Sequence, residues 1–232
     1  IRRHQALRGR RTEDYYSESS LLWLGVDARI RAATNGAKGL DTVANAFFAA
    51  PPTQGLVSTY TFADVVKALN DAVPGDWKGY LDARVNQVDA PLDGITQAGL
   101  KLVYDDKPNA VIKASEKTNK NTDLSYGLGI SVNKDGGLTE VVWESPAFAA
   151  GLVNGMTIVA VNGRAFSSEH LKDAVTAAKG GEQPIELILK QGDRYRTVKI
   201  DYRGGLRYPH LEPIQGGTDH LATILKPRTA AQ

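Results

Sequence analysis

With 232 residues the chain can bury one large core or two small ones, and its 42% hydrophobic and 23% charged content is ordinary for a globular protein. A formal net charge of +2 gives no general pull toward nucleic acid, and the absence of cysteine excludes disulfides and thiolate metal sites. No apolar run approaches the roughly 20 residues of a membrane-spanning helix.

Arg2, Arg3, Arg8, Arg10 and Arg11 form a basic run at the start, readable as a solvated face or as a basic patch. The first helix is predicted over 12–35, capped by Thr12 or Ser17. Leu22, Val26, Ile30 and Ala33 make its apolar face. Leu21, Trp23 and Leu24 widen that face, so the start of the helix should be buried. Asn35 and Gly36 end it, since both tolerate left-handed backbone. A second helix covers 40–49, with Leu40, Val43, Phe47 and Phe48 inward and Asp41 in its first turn, where the helix dipole favours an anion. Pro51-Pro52 stops it, and a polar loop runs to Thr59. A third helix over 61–73 starts at Thr61 and buries Phe62, Val65, Val66, Leu69 and Val73; Pro74-Gly75 breaks it. A fourth over 77–85 turns Trp77, Tyr80, Leu81 and Val85 inward.

The pattern changes after Ala90-Pro91. Short strands are predicted at 100–104 and 110–113, across a turn at 105–109. The polar stretch 117–123 has little to bury and reads as a linker. From Leu124 the chain is strand-rich. A strand at 138–143 precedes a one-turn helix at 145–152, opened by Pro146 and closed by Gly151. A strand at 156–161 ends at Asn162-Gly163. Ser167 or Ser168 caps a helix to about Lys179, with a Glu near the third position as a capping box requires. The stretches 185–190 and 195–202 form a hairpin. The class is α + β, divided as a helical part at 1–90, a hairpin and linker at 91–123, a strand-rich domain at 124–204 and a tail at 205–232.

The candidate binding element is Tyr126-Gly127-Leu128-Gly129-Ile130. Glycines let successive N–H groups converge into a nest for a carboxylate. The alternating residues Ile130-Ser131-Val132 read as a strand that could pair with an extended peptide whose C-terminus sits in the nest. Leu171 and Val175, one helical turn apart, would line the groove with Leu128 and Ile130. The same residues serve equally as plain core.

This order resembles a PDZ domain. Tyr126 to Ile130, then Ser145-Pro146-Ala147 with Ala150-Gly151-Leu152, then 155–163 are similar to the "SPAxxAGL…GD.I..VNG" signature of bacterial PDZ modules, with Thr157 where Asp is usual. A wider resemblance covers nearly the whole chain. The run from Tyr15 through Trp23-Leu24, Asp27, Arg29, Ile30 and Arg31 to Gly39-Leu40-Asp41 resembles the "YYxEGxLxWLxxDxxIR…SLDD" run of the glycyl aminopeptidase-like zinc peptidases, metallopeptidase family 61. Phe47-Phe48, Tyr60-Thr61-Phe62, Asp76-Trp77, Ala98-Gly99-Leu100 and Tyr208-Pro209-His210-Leu211 continue it.

That resemblance implies the helical C-terminal part of a thermolysin-like catalytic domain followed by a PDZ β-barrel-like domain. It also implies a parent enzyme that releases small N-terminal residues, Gly or Ala, from peptides, and a periplasmic or secreted location. The family's zinc site, HExxH with a downstream Glu, does not occur here, and His4, His170, His210 and His220 are scattered. Zinc is therefore expected in the parent, with no metal ligand in this chain. Ile1 is not an initiator methionine, so the chain reads as an inactive fragment whose partners are its own upstream catalytic domain and peptides or protein C-termini. Tyr16, or more weakly Tyr15, matches the family's oxyanion-donor tyrosine, although Ser19 replaces the usual Gly. A phenol suits that role because it stays protonated at neutral pH. The plain alternative is an aromatic anchor at the start of a helix. A functional alternative for the whole chain is a non-catalytic peptide-binding adaptor or scaffold.

Overall fold

The computed structural model describes residues 15–49, 59–87 and 93–227. Thr12, His4, the arginine run, the Pro51-Pro52 stop and the Ala90-Pro91 boundary lie outside them. The chain divides into two compact units, 1–101 with 212–232, and 102–211.

The first unit is helical: α1 (Tyr15–Ala33), α2 (Leu40–Phe48), α3 (Phe62–Ala72), α4 (Trp77–Val85) and a single turn α5 (Gly94–Gln97). Its core is Val26, Ile30, Val43, Leu69, Trp77, Tyr80 and Leu81. In α1 the burial falls a turn later than the apolar run suggests. Gly25 to Ala28, Ile30 and Arg31 are buried, whereas Leu21 to Leu24 are half-buried and Ala33 is exposed. The cause is a close backbone approach: a β-carbon on Gly94 would overlap the Leu21 carbonyl, and one on Gly25 would overlap the Tyr80 hydroxyl. Ser17 lies inside the helix and does not cap it.

The Asp27 and Arg31 pair is buried, with Arg31 Nε 2.5 Å from Asp27 Oδ2. The other carboxylate oxygen accepts the Leu40 N–H at 2.7 Å, which satisfies one free donor at the start of α2. Gly39 is needed there, since a β-carbon would lie 2.8 Å from Asp27 Oδ1. Thr61 forms a capping box with Asp64. Phe48, Phe62 and Val85 are exposed, against expectation: each stands at an end of its helix, beyond the stripe that meets the core.

A two-stranded sheet pairs β1 (Leu100–Asp105) with the late strand β9 (Tyr208–Pro213), and the unit boundary falls within both strands. The expected hairpin partner of β1 is a helix instead, α6 (Ala110–Asn119). Asn109 caps it by accepting the Ile112 N–H at 2.9 Å. The expected linker forms the end of α6 and a strand, β2 (Asn121–Leu124).

The remaining elements of the second unit are β3 (Ile130–Asn133), β4 (Leu138–Val141), α7 (Pro146–Ala149), β5 (Thr157–Val161), β6 (Arg164–Ala165), α8 (Ser168–Ala177), β7 (Ile185–Gln191) and β8 (Arg194–Ile200). They form two sheets, in the orders β2-β3-β4 and β6-β5-β7-β8. The sheets are open; an isolated bridge between Gly137 and Thr157 and backbone bonds from Leu138 N–H to Met156 O and from Ile158 N–H to Gly136 O join them, and a fully closed barrel is not shown among the described residues. Their inner faces share one core with Leu171, Ala174 and Val175 of α8. β4 stops at Val141 and leaves Trp143 exposed, because Glu144 turns the chain at φ 58. Ser167 alone caps α8, accepting the His170 N–H at 3.0 Å; His170 occupies the third position, so there is no capping box. After β9, Ile214 N–H donates to Gly99 O and His220 N–H to Ala98 O, ahead of a short helix α9 (His220–Ile224) in the first unit.

Candidate functional site

The glycine loop joins β2 to β3, and its backbone donors are directed at its own chain. Gly127 N–H and Gly129 N–H both donate to the Leu124 carbonyl, at 3.3 and 2.9 Å. The expected nest therefore exists in part and holds an internal carbonyl rather than a carboxylate. Both glycines make room for neighbours. A β-carbon on Gly127 would lie 2.7 Å from the Tyr202 hydroxyl, and one on Gly129 (φ +85) would overlap the Ser145 side chain. Ser145 in turn caps α7 by accepting the Phe148 N–H.

Neither edge of β3 is free. β2 pairs along one side, Asn121 opposite Asn133 through Leu124 opposite Ile130, and β4 pairs along the other. An external peptide cannot add to β3 in this arrangement, because the donors and acceptors it needs are already used. Leu128, Ile130, Leu171 and Val175 do come together, as the sequence suggests, but each is fully buried in the shared core and lines no open groove. Of the loop only Tyr126 stands out to solvent. Its ring lies 6.3 Å from that of Tyr104, whose other neighbour is the Arg207 guanidinium at 3.9 Å. Burial, with the nearby Asp123 carboxylate, raises the Tyr126 phenol above its ordinary value.

The segment that covers β3 is held by a side chain the sequence reading passed over. Glu116 on α6 accepts the Asp123 N–H at 2.9 Å and meets Lys172 Nζ of α8 at 3.3 Å. Its only sequence signal is its spacing, four residues after Ile112 on a helix that Asn109 caps. Nearby Tyr208 is fully buried and its hydroxyl has no partner among the described residues; burial raises it to about 12.

In the first unit Tyr15 and Tyr16 begin α1, and Tyr16 is exposed. A second polar group there was not anticipated. The Tyr80 ring lies between the Arg29 and Arg84 guanidiniums, at 4.3 and 3.7 Å. Its hydroxyl donates to Gln97, and Arg84 forks onto Asp93 with bonds of 2.8 and 2.7 Å. Burial raises the Tyr80 phenol. Burial also pushes Asp93 up, but hydrogen bonds from Arg84 and Gln97 outweigh it and leave Asp93 below its ordinary value. An apolar pocket of about 370 Å³ between α2 and α3 has no charged side chain in its lining. Among the described residues no three His, Cys, Asp or Glu side chains come together in a way that could hold a metal ion. Among them, too, no helix is long and apolar enough to cross a membrane.

No family model matches the sequence, and no curated protein matches it. Among solved structures, the fold is similar to the crystal structure of an aminopeptidase N family protein from Idiomarina loihiensis. The TM-score is 0.62 and the identity 18%, over 92% of this chain and 36% of that one. The chain thus has an aminopeptidase-like fold and spans about a third of that neighbour's length. The PDZ domain of HtrA3, solved with a phage-derived ligand, aligns at 21% identity over 51% of this chain and 95% of that one. Its TM-score of 0.25 is too low to show a shared fold.

Proposed function

We propose that this chain is the C-terminal part of a zinc metallo-aminopeptidase that releases small N-terminal residues, Gly or Ala, and that its second unit is a PDZ-type module. The observation that carries the reading is the likeness of 92% of the chain to part of an aminopeptidase N family structure. The run from Tyr15 to Asp41 supports it, as does the buried Asp27–Arg31 pair in the middle of that run, whose Asp27 carboxylate also holds the Leu40 N–H near its end. The described residues do not fit a zinc ion, so this reading assigns the metal to polypeptide upstream, and no chemical step is routed through it here. A periplasmic or secreted location goes with the reading. Both edges of β3 are paired in this arrangement, so an adaptor that captures peptides there would first have to free one of them.

Within this reading Tyr16 donates a hydrogen bond to the oxyanion of the tetrahedral intermediate. Its exposed position at the start of α1 suits a group that meets substrate. In the full-length enzyme, Tyr16→Phe should lower kcat about a hundredfold and leave KM nearly unchanged, as for removal of other oxyanion donors. Turnover at the wild-type rate would remove Tyr16 from catalysis. Full-length enzyme unable to release N-terminal Gly or Ala would overturn the aminopeptidase reading itself.

A further inference from the structure

We propose that α6 and β2 act as a strap that the second unit binds in cis, in the place of an extended peptide, and that loosening this strap opens β3 to a peptide C-terminus. The inference does not rest on the peptidase reading. Its first support is the pairing. β2 lies antiparallel along β3 in unbroken register, with Thr122 and Leu124 buried and alternating with half-buried Asn121 and Asp123. That alternation is how an added strand presents its side chains. The second support is the loop. The Leu124 carbonyl takes the Gly127 and Gly129 N–H groups that a terminal carboxylate would otherwise accept.

The third support is how lightly α6, the outer part of the strap, is fastened. Of the ten residues in α6 only Ile112 is buried, and its neighbour Val111 is 77% exposed. The strand β7, by contrast, buries Ile185, Leu187 and Leu189. Glu116 is the latch. It joins α6 to Lys172 of α8, and it occupies the Asp123 N–H, a donor on β2 that β3 does not use. Elements with few buried apolar contacts are those that open locally. The ligand chemistry follows from what the strap supplies. It is an extended C-terminal segment with an apolar last residue, a small β-branched residue two before it, and a free carboxylate in the place of the Leu124 carbonyl.

The test uses the whole chain and a synthetic peptide of its own residues 119–124, as free acid and as amide. Wild type should bind neither form. The double variant Ile112→Ala with Glu116→Gln should exchange the backbone amides of 121–124 at least about tenfold faster while β7 and β8 stay protected. It should also bind the acid about tenfold or more tightly than the amide, because the carboxylate bonds are charge-assisted. A folded variant whose 121–124 amides stay as protected as in wild type, or which binds no peptide, overturns the proposal. So does a wild type that binds the peptide as well as the variant does. If the variant loses β7 and β8 as well, wild-type exchange decides: 121–124 opening at least about tenfold faster than β7 upholds the strap, and equal protection overturns it.

Discussion

Two glycines flanking an apolar residue serve equally well as an anion nest or as a place where side chains crowd the backbone, since both need the β-carbon to be missing. At Gly129 crowding alone is enough to require a glycine. The residue sits at φ +85 and a β-carbon would overlap Ser145. Gly129→Ala should therefore destabilise the protein by about 1–3 kcal/mol in urea unfolding, with no ligand present, from strain and overpacking together. An unchanged midpoint would return this glycine to a binding role. Asp27 and Arg31 teach the same lesson from the other side. Charged residues in a motif invite a functional reading, yet these two are buried against each other and fasten the chain at Gly39 and Leu40.

At the scale of elements, α6 shows where local pattern misleads. Ala110 to Lys113 is short, apolar and contains β-branched residues, which suits a strand. Asn109 supplies a helix cap instead, and Ile112 with Glu116 gives the one-turn spacing that faces inward. A second element-scale device joins α4 to the turn before α5, where Arg84 forks onto Asp93. The sign of its pH dependence follows from the lowered carboxyl of Asp93. Its stabilising contribution is complete above the ordinary value of 3.8 and is lost as pH falls through the lower native value. Asp93→Asn should flatten that part of the acid limb in a stability-against-pH profile; an acid limb identical to wild type would show that the pair contributes nothing.

At the scale of the molecule, the two units have separate cores with no shared buried residue. Leu187→Ala should cost about 2–5 kcal/mol and speed amide exchange in β5, β7 and β8, while leaving α1 and α4 as they were. Leu69→Ala should do the converse. Parallel loss of protection in both units after either substitution would mean that they unfold as one. The first unit is built from two parts of the chain, and the joining backbone bonds, Ile214 to Gly99 and His220 to Ala98, lie more than a hundred residues apart in sequence.

What the sequence by itself determined is whatever local chemistry controls. Helices α2 to α4, the breaks at Asn35-Gly36 and Pro74-Gly75, the opening of α7 at Pro146, the Ser167 cap and the β7–β8 hairpin were legible because caps, periodicity and turn residues act within a few positions. Leu128, Ile130, Leu171 and Val175 were legible as neighbours, and they lie in one core. Only the tertiary structure decided what they are for. Whether β3 keeps a free edge depends on β2, and whether β2 stays depends on Ile112 and on Glu116 reaching Lys172, 56 residues further along. Pairing and burial are settled by which surfaces meet, and a short polar strand such as Asn121–Leu124 carries no local signal of the partner that will order it.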